Sequence, residues 1–225
     1  MSGAAMDLEP SWVATVREGF EHIDDLLVQA AARLPSATLH EASGRIGALS
    51  AQIKPVAPGM RLCGQAVTVH SPGGDNLWLH RALYLAKPGD ILVVHVSGQP
   101  DFGYWGEIMS TAARCRRLGG LVIDGCVRDV ELLEQIGFPV FATGLCIRGT
   151  GKDFGARGWI NFPLLMGDVS VQAGDLVVGD RDGVVVLPST RTAEVLTAAV
   201  AREQKEADVI RRITEGERTL EIYNF

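Results

Sequence analysis

The sequence predicts a single α/β domain, and three observations carry that expectation. Short apolar strand-like runs alternate with helix-period segments through most of the chain. No Pro/Gly/Ser-rich linker or low-complexity stretch interrupts the alternation. The 225 residues, 47% hydrophobic and 21% charged, have the size and composition of one compact globular domain.

Taken in order, Val13, Val16, Phe20, Ile23, Leu27, Ala30 and Leu34 recur at three- and four-residue steps. That period predicts an amphipathic helix over residues 11–34, capped by Ser11 and stopped by Pro35. Ser36 is placed to cap a short helix through Ala42, ended by Gly44. A strand over 63–70 follows the turn Pro58-Gly59, and Asp75 opens a helix that runs to 86, before Pro88. Ile91-Leu92-Val93-Val94 is an unbroken apolar run, the signature of a strand covered on both faces. A helix over 106–118, a strand at 121–123, a helix at 130–136 and a strand at 140–143 come next. Residues 148–159, rich in Gly with Lys152 and Arg157, read as a long surface loop. Strands at 169–171, 176–178 and 184–187 precede a long helix over 189–215. Pro58-Gly59, Pro88-Gly89-Asp90 and Ala173-Gly174-Asp175 each precede a strand and read as turns. The expected organisation is an N-terminal helix in 1–35, an α/β core over 36–188, and a C-terminal helix and tail over 189–225.

Composition narrows the function. Twenty-one Lys+Arg against 27 Asp+Glu leave a formal charge of −6, which argues against a nucleic-acid partner. No apolar run approaches the ~18 residues of a membrane span. Cys63, Cys115, Cys126 and Cys146 form no Cys-x-x-Cys pair, so buried thiols in a reducing compartment are expected. The start, MSGAAMDLEPSW, lacks a basic stretch followed by an apolar one, so a cytoplasmic location is expected.

Nucleotide and hydrolase motifs are missing: no G-x-G-x-x-G follows a first strand, and no G-x-S-x-G or H-E-x-x-H occurs. Three segments carry chemistry. Pro72-Gly73-Gly74-Asp75-Asn76 opens a helix after a strand, a place for an anion or for plain capping by Asp75. Gly106-Glu107-Ile108-Met109 begins another helix with free backbone N–H groups. Asp124-Gly125-Cys126-Val127-Arg128-Asp129 puts charge at the carboxyl end of a strand, where open α/β sheets bind ligands. Arg128 presents a fork suited to a carboxylate, and Asp129 a hard oxygen suited to Mg²⁺ or Mn²⁺. The spacing equally fits a surface Arg–Asp pair with Asp129 capping the following helix.

Gly64-Gln65-Ala66-Val67-Thr68-Val69, Pro72 to Leu77, Trp105-Gly106-Glu107, Gly125 to Asp129, Gly149-Thr150 with Lys152, Asn161-Phe162-Pro163 and Gly179 to Val184 occur in this order. Together they resemble the family shared by 4-hydroxy-4-methyl-2-oxoglutarate / 4-carboxy-4-hydroxy-2-oxoadipate aldolases and the ribonuclease E regulator RraA. The resemblance covers about residues 36–215. It implies a swivelling β/β/α fold assembled as trimers or hexamers. It also implies a lyase, a divalent-metal (Mg²⁺ or Mn²⁺) class II aldolase that releases pyruvate from an oxo-diacid and decarboxylates oxaloacetate. On that resemblance Asp129 is the metal ligand, Arg128 binds the keto-acid end, and Gly106, Glu107, Ile108 and Met109 cradle the substrate. Glu107 takes the place of an acidic group that holds water at the metal. Glu206, with Glu203 as the fallback one turn away, takes the place of a glutamate lent by a neighbouring subunit. The regulator branch lacks the acid after the arginine, so Arg128-Asp129 favours the enzyme over a protein-binding regulator. Two departures, Trp105-Gly106-Glu107 for the aldolases' Phe-Gly-Asp and a loop over 153–160 about two residues longer, leave the electrophile open. The rival within catalysis is a Schiff base, for which Lys152 is the one plausible residue among four lysines.

Overall fold

The structure, a computed structural model, describes residues 15–225. Its centre is β2 (Leu62–Pro72), an eleven-residue strand shared between two sheet regions. The first half, Leu62–Gln65, pairs antiparallel with β11 (Leu176–Asp180), which continues into β12 (Gly183–Leu187). The second half pairs in parallel with β3 (Ile91–Ser97), followed by β4 (Gly120–Ile123), β6 (Val140–Ala142) and, antiparallel at the edge, β1 (Lys54–Pro55). Lys54 Nζ donates to the Asp182 carbonyl in the β11–β12 turn, so the two ends of the sheet meet and it nearly closes.

Parallel β2, β3 and β4 are apolar on both faces, as the run Ile91–Val94 requires. One face packs Val67, Val69, Leu92, Val94, Leu121 and Ile123 under α3 (Leu77–Leu85), α4 (Glu107–Cys115) and α5 (Val130–Ile136). The other packs Ala66, Ile91, Val93 and Val122 against the hairpin of β9 (Leu164–Met166) and β10 (Val169–Val171). A third cluster joins β11 and β12 to α2 (Ser36–Ala42) and the 23-residue α6 (Thr192–Thr214). Short β5 (Cys126–Val127), β7 (Gly144–Leu145) and β8 (Trp159–Ile160) trim the loops, and α7 (Thr219–Ile222) ends the chain.

The alternating α/β class and most elements match the sequence expectation, but the N-terminal helix does not. Among the described residues of the expected 11–34, only Asp25–Ala31 (α1) forms an α-helix; Ser11 and Val13 lie outside the described residues. Residues 17–24 form a strap across the sheet instead. Val16 bridges to Ile160, Phe20 packs at Gly174, and Gln65 accepts from the Ile23 N–H while donating to the Glu21 carbonyl. Apolar side chains at three- and four-residue steps there reach different clusters, Phe20 the α3 side and Ile23 the α6 side.

Ser36 is not a cap but the first residue of α2. Its N–H and Oγ donate to Asp180 at 2.8 and 2.6 Å, so a carboxylate from the β11–β12 turn caps the helix across the fold. The Asp90 and Asp175 turns behave as expected: each carboxylate accepts from the N–H three residues back, at 2.7 and 2.8 Å. Of the four thiols Cys126 is buried and Cys115, contrary to expectation, is exposed. Among the described residues no helix is long and apolar enough to cross a membrane.

Candidate active site

The carboxyl ends of β3 and β4 release two chain segments that face each other across a cleft of about 240 Å³. The segment after β3 brings Gly103–Trp105 and the start of α4; the segment after β4 brings Arg128 and Asp129. Asn76 at the N-cap of α3, His80 on that helix, and Gly149, Thr150 and Lys152 complete the walls. The 149–153 loop is held there by Gly151 N–H donating to the Gly74 carbonyl at 2.7 Å and Asp153 N–H donating to the Asp75 carboxylate.

Asp129 adopts the left-handed conformation, φ 61°, uncommon outside glycine. Although it stands at the N-terminus of α5, its side chain makes no capping hydrogen bond there. It crosses instead to α4 and accepts from the Glu107 N–H at 3.1 Å. The capping alternative is thereby corrected: the carboxylate is aimed at another helix start, where peptide dipoles favour negative charge. Arg128 Nε lies 3.8 Å from Asp129 Oδ2, close enough for attraction but not a hydrogen bond. Two glycines make room. A Cβ on Gly106 would run into Asp129 Oδ2, and one on Gly103 would come within 2.9 Å of Arg128 Cδ.

The first intrahelical bond of α4 is Ser110 N–H to the Gly106 carbonyl, so the N–H groups of Ile108 and Met109 precede it. Glu107 and Ile108 are exposed at the mouth, and Met109 is buried beneath. Asn76 Nδ2 donates to the Tyr104 carbonyl at 2.9 Å, while its Oδ1 is buried with no hydrogen-bond partner. Burial, and secondarily Lys152, holds the His80 imidazole below the usual histidine range. The Pro72–Asn76 turn does not keep its N–H groups for a ligand: Tyr104 Oη accepts from Gly74 and Asp75 Oδ1 from Leu77. The sequence reading named Asn76 only within the Pro72–Asn76 turn and missed His80, although the four-residue spacing from the N-cap of α3 brings both to one side of that helix.

Glu206 and Glu203 stay away from this cleft within the chain. Glu203 accepts from Thr38 Oγ1 at 2.6 Å, and Glu206 Oε1 lies 2.8 Å from Arg202 Nε without hydrogen-bond alignment. Beside the cleft an apolar shelf of about 350 Å³ runs along Val127, Leu145 and Ile147, with Ile147 94% exposed. Among the described residues no three His, Cys, Asp or Glu side chains converge as a closed metal cage.

A family description, RraA-like (Aldolase/RraA), matches residues 23–186. The chain belongs to the Aldolase/RraA family. Within it, a relative from Halalkalibacterium halodurans provisionally named 4-hydroxy-4-methyl-2-oxoglutarate aldolase is 34% identical, covering 78% of this chain and 81% of its own. A solved protein of Pseudomonas syringae, titled uncharacterized, superposes with a TM-score of 0.77 at 29% identity over 91% of this chain and 95% of its own. An unusual member of the RNase ES inhibitor RraA protein family from Streptomyces coelicolor gives 0.74 at 28% identity, covering 85% and 98%. The family thus joins proteins named as aldolases with proteins named as inhibitors of RNA processing.

Proposed function

We propose that this member is a divalent-metal-dependent aldolase that releases pyruvate from a 4-hydroxy-2-oxo diacid and decarboxylates oxaloacetate. The observation that carries the reading is the Asp129 carboxylate turned from its own helix onto the start of α4 beside Arg128. The donor set fits a hard cation. Asp129, with Glu107 nearby and the unpartnered Asn76 Oδ1, offers oxygen ligands only, the surroundings of a largely hydrated Mg²⁺ or Mn²⁺. Such a cation, held through Asp129, would supply positive charge to the C2 oxygen as an enolate forms.

The chain's own groups do the rest. Arg128 and the N–H groups of Ile108 and Met109 bind the carboxylate and keto oxygen of the 2-oxo acid end. Lys152 and His80 receive the second carboxylate at the far wall. Cleaving C3–C4 leaves the electron pair on the pyruvate fragment, and the C4 hydroxyl proton leaves to a carboxylate. Glu107 supplies that base in the cleft, with Glu206 of a neighbouring copy beside it, and the proton returns to C3 of the enolate to give pyruvate; the exposed shelf at Leu145 and Ile147 suits such a neighbour in a trimer or hexamer. Lys152 is exposed at the rim, unlike the desolvated lysine a Schiff base uses.

A pyruvate-coupled assay across oxo-diacids, with and without Mg²⁺ or Mn²⁺, tests the reading. Activity lost to chelation and restored by metal is expected. Activity that survives EDTA and is trapped by borohydride with pyruvate would overturn it in favour of Lys152. The likeness to an RNase ES inhibitor family member supports a second reading, a protein-binding regulator without catalysis. That reading predicts no pyruvate from any oxo acid and no functional effect of Asp129→Ala.

A further inference from the structure

A second set of ionisable groups lies at the base of the two segments that form the cleft. His70, His95 and Asp124 stand near the carboxyl ends of β2, β3 and β4 on one face, continuing the alternation Ala66–Thr68–His70, Ile91–Val93–His95 and Val122–Asp124. None of them lines the cleft. Asp124 is tied to β3 by both carboxylate oxygens: one accepts from the Val96 N–H at 2.7 Å, the other from His95 Nδ1. Its own N–H donates to the Val94 carbonyl at 3.2 Å. It is the last residue of β4's course held to β3 before the chain leaves the sheet.

Beyond this clamp the two cleft walls bond to each other, and the β4 side also pairs with β7 through Cys126 and Val127. Cys126 N–H donates to the Pro100 carbonyl, Tyr104 N–H to the Cys126 carbonyl, and Arg128 N–H to the Trp105 carbonyl, at 2.9 to 3.0 Å. Gly125 sits where a Cβ would meet Val96 and the Tyr104 ring within about 3.0 Å, so the join has no slack. The segment carrying Arg128 and Asp129 and the segment carrying α4 therefore start from one fixed point. We propose that His95, acting through Asp124, is a positioning residue that sets the placement of Arg128 and Asp129 against the start of α4. The inference rests on the aldolase reading of that cleft.

The surroundings give His95 a charge to use. Its hydrogen bond to Asp124, reinforced by the charge of that carboxylate, raises its pKa against the opposing effect of burial. The titratable groups facing it are His70 from β2 and Asp124 after β4; Trp159 of β8 stacks on His70, and β9, which packs on β3, carries only Leu164, Leu165 and Met166. His70 lies flat on Trp159 with centroids 3.7 Å apart, and burial pushes its pKa down to about 4, so it stays neutral beside the His95 cation. The hold is ionic below the ordinary histidine range and weakens as pH rises through the elevated His95 pKa, leaving only a neutral N–H donor.

The test uses the full-length assembled protein and needs no substrate for its first arm. Amide exchange at Val96, Cys126 and Arg128, corrected for intrinsic rate, is followed from pH 5.5 to 9, with β11 as an internal reference. Wild type is expected to lose protection at these amides, and not in β11, as His95 deprotonates. His95→Gln, which donates but does not titrate, is expected to show constant intermediate protection. In the second arm, pyruvate release by His95→Gln loses its alkaline limb, and Asp124→Asn lowers kcat/KM by on the order of 10²-fold, as expected for a misplaced site. Protection at Cys126 and Arg128 that ignores pH and the His95 substitution overturns the proposal, and so does parallel loss in β11. If Asp124→Asn does not fold, the wild-type titration alone decides. Wild type releasing no pyruvate would instead overturn the aldolase reading, with the exchange result still standing on its own.

Discussion

Asp129 is where a single backbone dihedral decides the chemistry. In the right-handed conformation its carboxylate would cap α5; at φ 61° it reaches α4 instead. Asp129→Ala is expected to abolish pyruvate release while size-exclusion chromatography shows the assembly unchanged, because the side chain is exposed and bears no core contact. Gly106→Ala tests the fit from the other side. The added methyl displaces the carboxylate, and a loss of about 10²-fold in kcat/KM is expected with the melting temperature nearly kept. Arg128→Lys keeps the charge but loses the planar fork, so KM for the oxo acid should rise. None of this conformation was legible in the sequence. Arg128-Asp129 marked the place, but the several-fold enrichment of Asp in the left-handed region does not single out one position along the chain.

At the scale of elements, legibility followed length and locality. The bounds of α5 match their sequence expectation, α2 begins one residue early at Ser36, and β3, β4, β11 and β12 differ only at their ends. Those elements carry their own period and turn signals. The two-residue strands β1, β5, β7 and β8 are set by partners far along the chain, so no local pattern announces them. The strap over 17–24 failed for a related reason: its apolar spacing serves three separate contacts rather than one helix face. Asp180 shows how a tertiary partner replaces a local cap. Burial raises its pKa, but the Ser36 hydroxyl and amide and the Asp182 amide outweigh that and hold it below the usual carboxylate range. Its contribution is therefore full above the ordinary aspartate pKa and disappears as pH falls through the lower folded value. Asp180→Asn is expected to cost about 1.5–3 kcal/mol in urea unfolding at pH 7, and much less near pH 3.

At the scale of the whole molecule, the distance between α6 and the cleft is the informative feature. The helix packs on the β11–β12 side with Leu176, Val185 and Leu187, while Asp129 and Glu107 lie over the opposite sheet region. A glutamate on α6 can serve a cleft only between copies. Subunits bearing Asp129→Ala and subunits bearing Glu206→Gln, each inactive alone, should regain activity when unfolded together and reassembled. Random mixing in a ring gives about a quarter of sites with both groups intact, so close to a quarter of wild-type activity is expected. Glu206→Gln subunits that stay active alone, or mixed subunits that recover nothing, would show that Glu206 is not lent to a neighbouring cleft.

The doubly paired β2 has a further consequence, for synthesis rather than for catalysis. Its first half waits for β11, with Gln65 opposite Leu176, roughly a hundred positions later in the chain. At translation rates of about 5–20 residues per second, that edge stays bare on the ribosome for some 5–20 s. During that interval the nascent chain carries β2 and β3 as a parallel pair with an open, largely apolar flank. Arrest before residue 176 should therefore yield chains that aggregate or bind chaperones, whereas release past β12 lets the sheet close on itself.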